Sequence, residues 1–190
     1  MECTVLTLLK DGDRISGAFG YDRERGRFQV FRAKAIVLAT GGIGKAYKIT
    51  SNSWDCTGDG HSLAYHAGAE LIDMEYIQFH PTGMVWPPSV RGMLVTEGVR
   101  GEGGVLTNKE GRRFMFDSTS RRTTEAQTAD NEEEGWRYCQ GDKNARRPPE
   151  LLTRDHVARC IVAEIKQGRG SPHGGVFLDI SWIKKKLPNG

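Results

Sequence analysis

No apolar run in this chain approaches the roughly 20 residues that cross a bilayer, so neither a membrane anchor nor a signal segment is expected within it. The four cysteines, Cys3, Cys56, Cys139 and Cys160, form no Cys-x-x-Cys pair. Nor do they combine with histidine at a spacing that suits zinc, so reduced thiols in a cytosol-like compartment are expected and no metal site. Charge of one sign is also lacking: 27 Lys and Arg stand against 24 Asp and Glu, a net +3. The short basic clusters near Arg121, Arg146 and Lys184 carry no interleaved aromatics and read as solvated faces, so no nucleic-acid partner is expected. Apolar residues make up 37% of the 190, enough for a core but below the usual share, which points to one domain or parts of two with modest stability.

What is present begins with β-branched and apolar residues from Cys3 to Leu9, a turn at Asp11-Gly12, the run ISGAFGY, a second turn at Arg23 to Gly26, and FQVFRA. This spacing predicts a small antiparallel meander. AIVLATGG follows and predicts a buried parallel strand that stops at Thr40-Gly41-Gly42 beneath a ligand, where glycine lets the backbone approach closely; an ordinary turn is the plain alternative. GGIGKAY has glycines without the strand, helix and acidic residue of a G-x-G-x-x-G dinucleotide fingerprint. Asp59 heads the helical stripe of HSLAYHAGAEL, as an N-cap, as a cofactor contact, or as both. LIDMEYIQFHP reads as a strand leading into a second region, with the boundary near Tyr76.

Beyond it, MLV predicts a short strand, TEGVRGEGG a glycine-rich turn region, and VLTNKEGRRFMF a hairpin around Glu110-Gly111. Ser118 to Pro149 is charged and turn-rich, with one helix placed from Thr124 to Tyr138. LLTRDHVARCIVAEIKQG carries apolar residues at Val157, Cys160, Ile161 and Ile165, which predicts a helix capped by Thr153 and ended by Gly168. GGVFLDI reads as a strand and WIKKKLP as the start of a helix.

The stretch from Gln78 to Gly104, QFHPTGMVWPPSVRGMLVTEGVRGEGG, gathers one histidine, two threonines, two arginines and two glutamates among glycines. That is a poor core composition and a good one for gripping a small polar ligand. HPTG followed by TEGVRGEGG resembles the flavoprotein subunit of succinate dehydrogenase and fumarate reductase, in bacterial, actinobacterial-like form. These enzymes interconvert succinate and fumarate with FAD. The resemblance covers almost the whole chain and implies a fragment, since the family's fingerprint lies upstream and further substrate residues lie downstream. It implies an α/β plus α+β fold class: residues 1–76 as part of a two-dinucleotide-binding-type FAD domain, and 77–190 as a capping domain.

The resemblance also implies roles. Thr40, Gly41, Gly42 and Asp59 match cofactor contacts. His80 and Thr96 match residues that bind the substrate carboxylates, and Thr82 lies close enough in sequence to add a donor. Arg154 matches the arginine that shuttles the substrate proton, with Glu97 and Arg100 as its relay; a plain pair with Asp155 is the alternative for Arg154. Expected partners are succinate and fumarate, together with iron-sulfur and membrane-anchor subunits, with the chain peripheral on the cytoplasmic face of the inner membrane and not inserted in it. Two other readings stay open. L-aspartate oxidase shares the fold and the arginine but usually has alanine where Gly83, Gly98 and Gly104 stand here, and an inactive fragment of the family is the second.

Overall fold

Alternation of branched and small residues, broken at two glycine turns, produces the expected meander: β1 (Cys3–Asp11), β2 (Arg14–Asp22) and β3 (Arg27–Arg32), antiparallel in the order β1-β2-β3. Its register runs from Cys3 opposite Asp22 to Asp11 opposite Arg14 on one side of β2, and from Gly17 opposite Arg32 to Asp22 opposite Arg27 on the other. Phe19 stacks on Phe28 across the second pair at 5.3 Å between ring centres. The computed structural model describes residues 2–118 and 128–183. It divides into two units, Met1–Ile77 and Gln78–Gly190.

Two strands expected in the first unit are not formed. Ala35 to Gly42 pairs with no described strand, and Val37 is 87% exposed. Apolar composition gives this run a reason to be buried, but a parallel strand also needs flanking strands to satisfy its backbone, and none is paired to it. Leu71 to Ile77 is likewise irregular and exposed, with Ile72 at 81%; Asp73 takes a left-handed φ of 56° that interrupts an extended chain. The helix between them is α1 (Asp59–His66). Its N-cap is Gly58 rather than Asp59, which occupies the first turn.

The second unit holds the core. Leu106, Phe114, Met115, Leu152, Val157 and Cys160 cluster together, with Ile161, Val176 and Leu178 packed at the edge. The predicted helical stripe supplies two of them from α5 (Arg154–Lys166), which starts after Thr153 as expected. The expected hairpin at Glu110-Gly111 is replaced by another pairing. β4 (Val105–Thr107) joins β5 (Phe177–Asp179) antiparallel, and the chain after the turn forms α3 (Met115–Ser118). The turn itself exists, with the Asn108 side-chain oxygen accepting from the backbone N–H of Glu110 and of Arg112 at 3.0 Å each. The segment after it then turns inward because Phe114 and Met115 are wanted by the core, at 1% and 0% exposure.

TEGVRGEGG is a short helix, α2 (Glu97–Gly101), capped by the Thr96 hydroxyl accepting from the Gly98 N–H. MLV makes only an isolated antiparallel bridge, Leu94 to Gly83. The helix placed from Thr124 to Tyr138 is α4 (Glu132–Cys139), capped by Asn131; the start of that expectation, the basic clusters at Arg121 and Lys184, and the helix at WIKKKLP lie wholly or largely outside the described residues. Arg146 is not a free basic face, since it pairs with Glu134 and Asp130. The two sheets belong to different units, and among the described residues no strand joins them.

Candidate functional site

Two groups of residues concern function, one in each unit. In the first unit, Thr40-Gly41-Gly42 lies against the N-terminus of α1. Gly41 has φ of 75°, a conformation that favours glycine. Gly60, in the first turn, is buried, and a Cβ there would stand 1.8 Å from the Thr40 Oγ1. The glycine therefore permits the close approach of the Thr40 side chain to the helix start. Asp59 lies beside it, favourably placed at a helix N-terminus, and its Oδ2 accepts the Thr57 hydroxyl proton at 3.0 Å. Exposed backbone at Thr40 to Gly42, a helix N-terminus and one carboxylate are groups that suit a phosphate- and ribose-bearing cofactor. This glycine cradle fits FAD.

In the second unit the fold collects residues far apart in sequence. Arg154 opens α5, and its Nε donates to the Glu97 Oε2 at 3.2 Å, across 57 residues. Its Nη1 donates to the Gln78 Oε1, also at 3.2 Å. It does not pair with Asp155, which is taken by Arg159 at 2.6 Å, one helical turn on. Arg100 stands three residues after Glu97 on α2, so the two face the same way, with Arg100 Nη2 at 3.7 Å from that same Glu97 Oε2. One carboxylate oxygen thus lies between two guanidinium groups. Arg100 is 1% exposed. Burial pushes it below its ordinary value, Glu97 opposes this, Arg154 adds to it, and Glu150 opposes it.

His80 and Thr82 approach the same cations. The Thr82 backbone N–H donates to His80 Nδ1 at 3.3 Å. The Nδ1 is therefore an acceptor, and the proton of the neutral imidazole sits on Nε2, free to donate. Burial, then the Arg100 and Arg154 charges, lower the His80 pKa, against a smaller opposing pull from Glu97. The Thr82 hydroxyl donates to the Val95 carbonyl at 2.9 Å and is buried, so Thr82 has no proton left for a ligand and serves to fix His80. Thr96 is exposed, and its oxygen already accepts from Gly98 at 3.4 Å, which leaves its proton to give.

Geometry brings His80, Thr96, Glu97, Arg100 and Arg154 onto elements that meet in one unit, while the four cofactor-side residues belong to the other. Sequence reasoning missed Gln78, whose signal was its place two residues from His80, the same side of an extended chain. It also missed Glu150 and Arg113, for which no local pattern existed. A groove of about 480 Å³ in the second unit, walled by Trp86 stacked on His173 at 4.1 Å, is mostly apolar and takes in none of the charged residues.

Among the described residues, no helix is long and apolar enough to cross a membrane. The chain matches the family described as FAD binding domain over residues 1–187, a single match that draws no line between a cofactor portion and a capping portion. It is 45% identical over 186 residues to a subunit of the CoM/CoB fumarate reductase of Methanothermobacter marburgensis, covering 98% of this chain and 29% of that protein. To the succinate dehydrogenase flavoprotein subunit of Rickettsia bellii it is 36% identical over 189 residues, covering 98% of this chain and 27% of the other. Among solved structures, the quinol fumarate reductase FrdA of E. coli superposes with a TM-score of 0.75 at 33% identity, over 98% of this chain and 29% of that one. The chain spans less than a third of the length of each of these three proteins.

Proposed function

The chain belongs to the FAD-binding family of succinate dehydrogenase and fumarate reductase flavoprotein subunits, and on that premise we propose that it is the part of such an enzyme that moves the substrate proton. FAD, the cofactor of the family, supplies the hydride donor or acceptor, which no side chain can be. In the direction of fumarate reduction, Arg154 gives a proton to the carbon next to the one that takes the hydride. Glu97 returns a proton to Arg154, and Arg100 hands one on to Glu97 and regains its own from solvent. In succinate oxidation the same groups carry the proton outward. His80, through its Nε2–H, and Thr96, through its hydroxyl, hold the carboxylates of the dicarboxylate. Gln78 fixes the plane of the Arg154 guanidinium.

The observation that carries this reading is the Glu97 oxygen between Arg154 and Arg100, at 3.2 and 3.7 Å. An arginine has too high a pKa to be an ordinary acid catalyst, and a relay that makes its neutral form transient is what the role requires. The names of the relatives are those of subunits. In keeping with them, the reading places the chain in an assembly with iron-sulfur and membrane-anchor subunits, on the cytoplasmic face of the inner membrane.

The test is Arg154→Lys in the FAD-loaded, full-length flavoprotein. Lysine is a point charge that cannot keep planar contacts to Glu97 and Gln78 together. Turnover per flavin falls by about 10²–10⁴-fold with little change in dicarboxylate affinity, whereas His80→Ala chiefly weakens affinity. Near-normal turnover with weakened affinity in Arg154→Lys would show a substrate clamp and no proton shuttle.

A further inference from the structure

The buried guanidinium of Arg100 makes an unusual set of contacts. Its Nη1 donates to the backbone carbonyl of Glu150, while its Nε and Nη2 meet no hydrogen-bond acceptor among the described residues. Glu97, at 3.7 Å, is within ionic reach but too far for a hydrogen bond. One contact therefore decides where this side chain stands, and that contact is to main chain rather than to a charge. The carbonyl belongs to a short 3-10 turn, Pro149–Leu151.

The Glu150 side chain points elsewhere. Its carboxylate is closed in a fork with Arg113, Nε to Oε1 at 2.6 Å and Nη2 to Oε2 at 2.9 Å. Glu150 is 0% exposed and the Arg113 side chain 7%. The Arg113 guanidinium lies over the Phe116 and Trp136 rings, at 4.7 and 4.9 Å, so aromatic contacts also hold the fork. A buried ion pair is a poor stabiliser, because desolvation of both charges cancels most of the attraction. It is better suited to fixing one geometry.

We propose that Glu150 and Arg113 are positioning residues, a rigid anchor that presents the Glu150 carbonyl to Arg100 and thereby sets the distance between Arg100 and Glu97. The anchor does not touch substrate or cofactor. It rests on the relay reading above and adds to it the reason Arg100 is held in place with two donors unspent: those donors stay available to Glu97 when a proton passes. A shift of about 1 Å in the carbonyl would take Arg100 out of reach, and misplacement on that scale costs about 10²-fold in rate.

The experiment is the double variant Arg113→Met with Glu150→Gln in the full-length, FAD-loaded enzyme. Exchanging both charges for neutral groups of similar size leaves no buried charge unpaired, and flavin content and melting temperature measured beside turnover show that the fold is kept. Turnover per flavin is expected to fall about 10²-fold, with the KM for succinate or fumarate unchanged. Introduced into an Arg100→Met background, the same pair changes turnover by less than about twofold, because the anchor acts only through Arg100. Unchanged turnover in the double variant overturns the anchor, as does a further, additive loss when Arg100 is already absent. Full turnover in Arg100→Met alone removes the relay itself and the anchor with it. A single Glu150→Gln variant, which keeps the carbonyl but loosens the fork, is expected to lower turnover in the same direction; a normal rate there, with a fall only in melting temperature, assigns the fork a structural role alone.

Discussion

The two units treat their apolar residues in opposite ways. In the second, Leu106, Phe114, Met115, Leu152, Val157 and Cys160 shut water out, and charged groups are drawn in beside them, Arg100 at 1% and Glu150 at 0% exposure. In the first, Ala18 is the one core-grade apolar side chain among the described residues, while Val37, Trp54 and Ile72 stand at 87%, 84% and 81% exposure. A three-stranded meander with one short helix has too little area to close a core over both faces. The cluster of Arg154, Glu97 and Arg100 therefore rests on a unit with a core of its own, and Thr40 to Gly42 on one whose apolar run pairs with no described strand.

Several substitutions press on this contrast. Met115→Ala should cost about 2–5 kcal/mol by emptying a packed site, whereas Val37→Ala should change stability by no more than about 0.5 kcal/mol. Urea titration of each variant separates them, and equal effects would erase the difference between the units. Gly60→Ala comes next. A Cβ would meet the Thr40 Oγ1 at 1.8 Å, and overpacking of this kind costs about 1–3 kcal/mol; flavin content of the purified protein should drop while the Glu97–Arg154 contact is kept. Full flavin retention would mean that Thr40 is not part of the cofactor's seat.

The smallest effect concerns pH. His80 titrates below its ordinary value of 6.5, chiefly through burial, so the folded state binds its proton less readily than the unfolded state does. Its contribution to stability is then present above about pH 6.5 and is lost as pH falls toward and through the lower folded value. Unfolding midpoints measured from pH 5 to 8 should show this slope, and His80→Gln should flatten it. A slope of the other sign would place a proton on His80 in the folded state and remove its neutral donor role.

Several elements were legible directly. The meander followed from alternation and two turn signals, and α5 from Val157, Cys160 and Ile161 at helical spacing after Thr153. The contact of Arg154 with Glu97 was legible only through a motif, because nothing in a spacing of 57 residues announces it. Three readings failed for one physical reason. Ala35 to Gly42, Leu71 to Ile77 and the Glu110-Gly111 hairpin were assigned from local composition, yet a strand exists only where another backbone answers its hydrogen bonds. For Val105–Thr107 that answer came from Phe177–Asp179, far along the chain, and for the other two runs no described strand gave it.

The sequence by itself determined which segments could turn, which could coil into helix, and which charged side chains were available, since these depend on neighbours within a few residues. Tertiary structure alone decided that Arg154 would meet Glu97 and Gln78 rather than Asp155, that Thr82 would give its proton to Val95 and so hold His80, and that Glu150 would be buried against Arg113. Those choices compare contacts between distant segments, where the loss of water around each charge must be matched by a partner of the right shape. Only the folded chain puts such partners side by side.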